Sequence, residues 1–274
     1  MNVHRKFDIL QFVLSILCIS SSAPVMRVAA SVNPTVSNFN TRSTKARGHA
    51  MTSAPISPVI TIRQDEFSIE RYSVAYNISR KEFMVIWHES NEADFGTSIY
   101  GRRVSVYGDT IGTAFQIMSL TDKRFRQSDI VYVPKHDKYW IGVFEDNSFK
   151  NAIWVKSITW EGQTITQELI KDNTDSPGGP TLAMAYNTKN DQVMIVYENK
   201  LSDTNLVIGA ICLKAMDGEN CGEKDVAAST KRLRYPDIAF NPTRTEYLIS
   251  YTCLLYTSPS PRDQRPNLVC RLLL

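Results

Sequence analysis

The chain has 274 residues, of which 43% are hydrophobic and 22% charged, and its formal net charge at pH 7 is +3. This composition is typical of a globular protein and excludes a disordered chain, a collagen and a disulfide-dense scaffold. Lys and Arg are dispersed along the sequence, which argues against nucleic acid as a partner.

Residues 1–30 have the organisation of a secretory signal peptide. Basic residues follow Met1, an apolar run extends from Ile9 to Leu17, and small residues precede a cleavage site expected after Ala30. The run is short for a membrane-spanning helix, and no other segment reaches the roughly 18 apolar residues that such a helix needs. We therefore expect a secreted, extracellular protein with no membrane span after signal removal. The alternatives are a buried first helix and an uncleaved anchor.

Residues 31–58 are rich in Ser, Thr, Asn and Pro and show neither helical nor strand periodicity. So little apolar surface cannot offset the entropy lost on ordering, and a disordered leader is predicted. The fold is expected in residues 59–252.

A unit of about 55 residues recurs within this segment. Equivalent aromatic residues are Tyr76, Tyr132, Tyr186 and Phe240, separated by 56, 54 and 54 residues. Each ends an apolar run, and a second run begins seven residues later. In the first three units a third run, a turn with Gly and a fourth run follow. Such strands, joined by turns rich in Gly, Asn, Asp and Pro, predict antiparallel hairpins.

Repeated four-stranded units of this kind are typical of β-propeller blades. We predict an all-β fold, a β-propeller fragment with an incomplete ring of three blades and the start of a fourth. Residues 59–67 lie where the fourth strand of a preceding blade is expected, and are assigned as the closing strand. A string of small β-sandwiches is the alternative.

The first unit carries the clearest resemblance to known proteins. Residues 75–77 read Ala-Tyr-Asn, residues 83–87 read Phe-Met-Val-Ile-Trp, and residues 99–104 read Ile-Tyr-Gly-Arg-Arg-Val before a Gly-Asp turn. This pattern resembles the AYN…YLVVW…IYGQRV…DG repeat of secreted β-propeller proteins. The resemblance extends from Tyr72 to about Tyr251 and weakens in the later units. It implies a propeller and no particular activity.

Residues 253–274 resemble no protein family. They contain CLLYTSPSPRD and, after a short gap, LVCRLLL, which match two fixed stretches of a translated sequencing adapter in one frame. We predict that residues 253–274 are an adapter-derived artefact and expect the natural chain to continue beyond about Thr252. The alternative is a natural proline-containing tail.

Cys212 and Cys221 are the cysteines that remain in the predicted fold. They lie on the two arms of a hairpin in the third unit, where facing positions bring side chains within bridging distance. Because the secretory route is oxidising, we predict a disulfide; two free thiols are the alternative. No Cys or His spacing predicts a metal site, and no cofactor is expected.

Asn77 begins an Asn-Ile-Ser glycosylation motif in the first hairpin turn. Turns of this kind are usually exposed, so glycosylation of Asn77 is predicted. Turn geometry alone also favours Asn at this place.

Acidic residues follow the second strand of each complete unit: Glu89, Glu145 with Asp146, and Glu198. On a propeller rim they could converge into the carboxylate pair that glycosidases use. Strand-end solubilising residues are the more ordinary explanation. The tryptophans are expected to pack between blades: Trp87, Trp140, Trp154 and Trp160.

Several enzyme motifs are absent from the sequence, including a phosphate-binding Gly loop, a GxSxG elbow and a sialidase-type Asp-box. We therefore expect an extracellular binding module whose ligand is a protein or a glycan, more readily than an enzyme. The alternative is a fragment of a secreted propeller enzyme such as a glycoside hydrolase or lyase. A truncated product with no function of its own is a third interpretation.

Overall fold

A computed structural model describes residues 14–16, 25–30, 59–64, 68–90, 97–120, 124–146, 151–174, 181–202, 205–230, 233–255 and 265–273. Within these ranges the regular structure consists of β-strands and one short 3-10 turn, Pro134–His136. No helix in the described part of the chain is long and apolar enough to span a bilayer.

The first three strands form a sheet of their own. They are β1 (Leu14–Ile16), β2 (Val25–Ala30) and β3 (Ile60–Gln64), paired antiparallel in that order. Strands β1 and β2 fall in the predicted signal peptide, the rest of which lies outside the described residues. The predicted leader, residues 31–58, also lies outside them.

Three four-stranded antiparallel sheets follow, each made of consecutive strands, and we name them the first, second and third blades. The first blade contains β4 (Ser68–Asn77), β5 (Glu82–Ser90), β6 (Thr97–Ser105) and β7 (Thr110–Leu120). The second contains β8 (Arg124–Val133), β9 (Lys138–Asp146), β10 (Asn151–Thr159) and β11 (Thr164–Thr174). The third contains β12 (Leu182–Asn187), β13 (Gln192–Ser202), β14 (Asn205–Lys214) and β15 (Asn220–Ser229). The predicted four-strand units are confirmed.

The fourth blade has three described strands: β16 (Leu233–Asn241), β17 (Glu246–Leu255) and β18 (Arg265–Leu273). Strands β16 and β17 are the hairpin predicted from the repeat. Strand β18 lies in the segment predicted to be adapter-derived, and it pairs with β17 from Tyr247 opposite Leu273 to Leu255 opposite Arg265. The pairing does not test the origin of the segment, which stays a prediction.

A shared turn fixes the register of the first two strands in each blade. In three blades an Asn ends the first strand, and its side-chain oxygen accepts a backbone N–H from the turn, as with Asn77 and the N–H of Arg80 at 3.0 Å. The turn closes on a non-glycine residue at positive φ in all four blades: Lys81, Asp137, Asp191 and Thr245. The repeat aromatic then lies opposite the first residue of the second apolar run, as Tyr76 lies opposite Phe83.

The first strands lie innermost, since β4 contacts β8, β8 contacts β12 and β12 contacts β16. The meander therefore places β7, β11 and β15 at the outside. Apolar side chains fill each space between blades, and Trp87 and Trp140 are fully buried. Trp154 and Trp160 pack partly buried against the core between the first and second blades, as expected for tryptophans between blades.

Strand β3 lies against the first blade as β7 lies against the second. Nη1 of Arg102 in β6 donates to the carbonyl of Ile62 in β3 at 2.8 Å. At the equivalent place in the second blade, Nζ of Lys156 donates to the carbonyl of Ile117 in β7. Relative to the first blade, β3 thus occupies the position of an outer strand of a preceding blade. The assignment of residues 59–67 as a closing strand stays a prediction.

Strand alternation gives every blade two distinct edges. The short turns between first and second strands, and between third and fourth strands, lie at one edge, which we call the turn face. The amino ends of β4, β8, β12 and β16 and the carboxyl ends of β5, β9 and β13 lie at the other, which we call the loop face.

Candidate functional site

The predicted rim acids lie on the loop face, and two of them are buried beside indole rings. Glu89 accepts a hydrogen bond from the indole N–H of Trp87 at 2.7 Å and lies 3.1 Å from Nε of Arg63. Glu145 accepts the indole N–H of Trp154 at 2.6 Å. Glu145 therefore joins two strands of its own blade, and Glu89 joins the first blade to β3.

The other two predicted acids also have protein partners. Asp146 forms an ion pair with Nε of Arg126 at 2.6 Å across the β8–β9 ladder. Glu198, whose residue is 1% exposed, accepts the Thr181 hydroxyl and the backbone N–H of Tyr235, the latter at 2.6 Å. Because Tyr235 belongs to the fourth blade, Glu198 joins two blades.

Asp129, on the innermost strand of the second blade, was not predicted as a site residue. Its Oδ1 accepts the Ser73 hydroxyl at 2.6 Å, and its Oδ2 accepts the backbone N–H of Met184 at 2.8 Å. Burial is the largest influence and raises the pKa of Asp129, while these donors oppose the rise. The side chain links three consecutive blades near the axis.

Asp237 occupies the same repeat position on β16, three residues before the aromatic residue. Its side chain is exposed, and Oδ1 accepts the N–H of Ile238 at 2.9 Å. The charge of Asp237 contributes to the raised pKa of Asp129, so the two carboxylates interact across the inner strands. The Asp-Ile dipeptide recurring before the repeat aromatic was the sequence signal that could have found both.

β-Bulges occur near the amino ends of three first strands. Pairing with the second strand shifts between Ile69 and Tyr72, between Phe125 and Gln127, and between Arg234 and Asp237. Bulges re-aim side chains and recur beside functional sites. At these bulges the exposed side chains are Arg71, Arg126 and Tyr235.

Asn77 is not exposed, contrary to the prediction from the sequence. Its residue is fully buried, and its side-chain oxygen is occupied by the turn N–H of Arg80. The predicted exposure is wrong because this Asn turns inward to close the hairpin and packs beside the next blade. Glycosylation of Asn77 stays a prediction, and one that the burial of its amide nitrogen disfavours.

The predicted disulfide is confirmed, since Cys212 of β14 is bonded to Cys221 of β15. It staples the outer hairpin of the third blade near the turn face. Among the residues that the structure describes, no group of three His, Cys, Asp or Glu side chains is placed to hold a metal ion.

No protein-family profile and no curated protein sequence match the chain. Two solved structures of an α-L-arabinofuranosidase from Fusarium graminearum, each with an iminosugar inhibitor, match with TM-scores of 0.54 at 13% and 14% identity. The matches cover 75% and 74% of this chain and 62% of theirs. An exo-β-1,3-galactanase from Phanerochaete chrysosporium with galactose matches at 11% identity and a TM-score of 0.46, over 93% of this chain and 62% of that one.

The chain thus spans 62% of the length of the arabinofuranosidase structures it matches. At such low identity the likeness bears on the fold alone. Together with the repeated four-stranded sheets and the innermost first strands, it shows an all-β protein built from β-propeller blades.

Proposed function

We propose that this chain is part of an extracellular β-propeller protein that binds glycans at the inner rim of its loop face. The observation that carries the proposal is the set of exposed side chains at the bulges of the first strands, namely Arg71, Arg126 and Tyr235. Guanidinium groups offer N–H donors to sugar hydroxyls, and an aromatic ring offers an apolar face to a sugar ring.

Two further observations support this function. The Cys212–Cys221 disulfide fits an oxidising compartment and agrees with the predicted signal peptide. The two arabinofuranosidase structures with a similar fold each hold an iminosugar inhibitor, which supports a carbohydrate as the ligand class. A protein ligand, the other predicted partner, has no comparable support.

Binding is favoured over catalysis because the predicted rim acids are occupied. Glycosidases use two carboxyl groups about 5–9.5 Å apart that face the scissile bond. Glu89, Glu145 and Glu198 are instead buried and accept hydrogen bonds from indole or backbone N–H groups, with which a substrate would compete.

A fragment of a glycoside hydrolase is the second candidate, and one observation favours it. Asp237 is exposed, whereas Asp129 is half-buried with a raised pKa, to which Asp237 contributes. Two interacting carboxylates in unlike environments are the usual origin of separate acid and base roles.

A binding screen with product analysis tests the proposal. The full chain is screened against neutral and charged oligosaccharides, bound sugars are titrated by calorimetry, and the mixtures are then analysed for hydrolysis products. We expect binding without products, weakened by Arg71→Ala. The matched control is Arg244→Ala, an exposed arginine on the turn face.

Products that disappear in Asp237→Asn would instead support the glycosidase. A chain that binds none of the oligosaccharides at millimolar concentration would contradict the proposed function.

A further inference from the structure

Tyr235 has a backbone conformation that its sequence does not favour. Its φ is +53°, inside the β-bulge of β16, and the next residue is Pro236. A positive φ is rare for a bulky side chain, and a residue before proline is normally driven to extended conformations. Such conformations persist only where the surroundings hold them, and they concentrate at functional sites.

The group that holds Tyr235 is the buried carboxylate of Glu198 on the neighbouring blade. One carboxylate oxygen accepts the Tyr235 backbone N–H at 2.6 Å and also the Thr181 hydroxyl. The other oxygen lies 3.9 Å from Nε of Arg234. A buried carboxylate thus fixes the backbone of a bulge that belongs to another blade.

The consequence is an aromatic ring directed to solvent on the loop face. Tyr235 is 56% exposed, and the guanidinium carbon of Arg234 lies 4.8 Å from its ring centroid. Two residues further on, the exposed carboxylate of Asp237 can accept hydroxyl hydrogens. An exposed ring beside a hydroxyl acceptor suits a sugar, which has apolar C–H faces and hydroxyl edges.

The local charges favour one class of sugar. Among the described residues that contact or flank Tyr235, the two carboxylates of Glu198 and Asp237 accompany one guanidinium group, that of Arg234, so these groups together carry a net negative charge. Such a site repels carboxylated or sulfated sugars.

We infer that Tyr235, held in place by Glu198, is the stacking platform of a subsite for an uncharged pyranose. This inference rests on the proposed function and names the subsite and the sugar class within it. Tyr235 contacts the sugar, Asp237 accepts its hydroxyl hydrogens, and Glu198 is a positioning residue.

The test uses a pair of glycine substitutions at positive φ. Tyr235→Gly removes the ring and relieves the backbone, so the melting temperature is expected to stay level or rise while affinity for neutral oligosaccharides falls at least tenfold. Thr245→Gly is the matched control, because Thr245 has φ +57° in the same blade but lies on the turn face. The melting temperature of Thr245→Gly should also stay level or rise, while its affinity for neutral oligosaccharides stays unchanged.

Two further variants separate the ring from the fold. Tyr235→Phe keeps the stacking surface and should retain affinity within about threefold, whereas Tyr107→Ala removes an 87% exposed tyrosine of the turn face and should have no effect. Glu198→Ala should weaken binding in parallel with Tyr235→Gly if it remains folded.

The outcomes distinguish the inference from the function on which it rests. If the chain binds neutral glycans and Tyr235→Gly binds them equally well, the subsite is wrong while the glycan-binding function stands. A preference for uronate-bearing or sulfated glycans over neutral ones overturns the sugar class. Failure of the unsubstituted chain to bind any glycan overturns both.

Discussion

The interfaces between the first three blades differ from the interface between the third and fourth blades. In the first two, an aspartate at positive φ on the turn face receives hydrogen bonds from its own blade's repeat tyrosine and from basic side chains of the preceding blade. We call this arrangement the turn-face latch. At the third interface the repeat continues, but the carboxylate and the ring hydroxyl of the latch are replaced.

The latch between the first and second blades is centred on Asp137. Arg80 donates to both of its carboxylate oxygens, with Nη2 to Oδ2 at 2.7 Å, and the Tyr132 hydroxyl donates at 2.8 Å. The hydrogen bond from Arg80 is the largest influence lowering the pKa of Asp137.

The latch between the second and third blades is centred on Asp191. Lys135 and His136 reach it at 2.8 Å, and the Tyr186 hydroxyl donates at 3.0 Å. Burial opposes ionisation, but the hydrogen bonds from Lys135 and His136 keep the pKa of Asp191 below its usual value.

At the third interface Asn190, Phe240 and Thr245 replace His136, Tyr186 and Asp191, so the ring hydroxyl and the carboxylate are missing, while Lys189 retains the cation of Lys135. A polar contact between these blades lies on the loop face, where Glu198 accepts the backbone N–H of Tyr235. Blades of similar sequence can thus be joined at the turn face or at the loop face. At the last interface the contact lies on the loop face, where it exposes an aromatic ring.

The largest expected effect concerns Asp129, which links the first three blades. Asp129→Ala gives the second blade the residue that the third has at this position, Ala183, and leaves the donors of Ser73 and Met184 without their acceptor. Since each orphaned buried group costs about 1–3 kcal/mol, we expect the free energy of unfolding to fall by about 4 kcal/mol in urea denaturation. Asp237→Ala, at the equivalent exposed position of the fourth blade, should change the free energy of unfolding by less than about 0.5 kcal/mol. Equal losses would contradict the linking role.

Acid should weaken the interface between the first and second blades at a defined pH. His88 lies there, fully buried, with its Nε2 2.7 Å from the Ser128 hydroxyl, and burial is the largest influence lowering its pKa to about 4. In the unfolded chain His88 takes up its proton near pH 6.5. The stabilisation that the folded protein gains from neutral His88 is therefore complete above pH 6.5 and is lost as the pH falls to 4. The free energy of unfolding should decrease by about 3 kcal/mol over this range.

Denaturation at a series of pH values measures this dependence. His88→Gln should flatten the slope of the free energy of unfolding between pH 4 and 6.5. The lowered pKa values of Asp137 and Asp191 act in a separate window: their stabilisation is present above the unfolded pKa and is lost only at still lower pH. An unchanged slope in His88→Gln would show that other groups control acid sensitivity.

The disulfide distinguishes the third blade from the first two. Replacing both Cys212 and Cys221 with serine removes a short closed loop, for which chain entropy predicts a loss of about 2–3 kcal/mol in the free energy of unfolding. Binding at the loop face should not change, because the staple lies near the opposite edge. A loss of glycan affinity without a loss of stability would contradict this separation of the two faces.

The smallest expected effect comes from building the latch at the third interface. The triple variant Asn190→Arg, Phe240→Tyr and Thr245→Asp supplies the missing groups and should raise the free energy of unfolding by about 0.5–1 kcal/mol at low salt, because such pairs are partly exposed. The gain should shrink at high salt. Thr245→Asp alone has only Lys189 as a partner and should give a smaller gain, so an equal gain from it would argue against the latch.

The blades could be predicted from sequence because their signals are local. Aromatic residues at a fixed spacing, Asn turns and Gly turns report strand ends and register, and the structure has these strands where the pattern placed them. The facing cysteines could be predicted for the same reason.

The roles of individual side chains were harder to predict than the strands, because these roles depend on contacts between blades. The partners that Glu198 and Asp129 have on other blades lie more than 35 residues away in sequence. The Asn77 turn motif is the same whether the side chain points outward or inward. The bulge that exposes Tyr235 depends on Glu198, and no local pattern reports it.

The most direct test of glycan binding at the loop face is a crystal structure of the full chain with a neutral oligosaccharide selected by the binding screen. We predict sugar density stacked on the Tyr235 ring with a hydroxyl group at Asp237. Density on the turn face, near Tyr107 or the latches, would contradict the account.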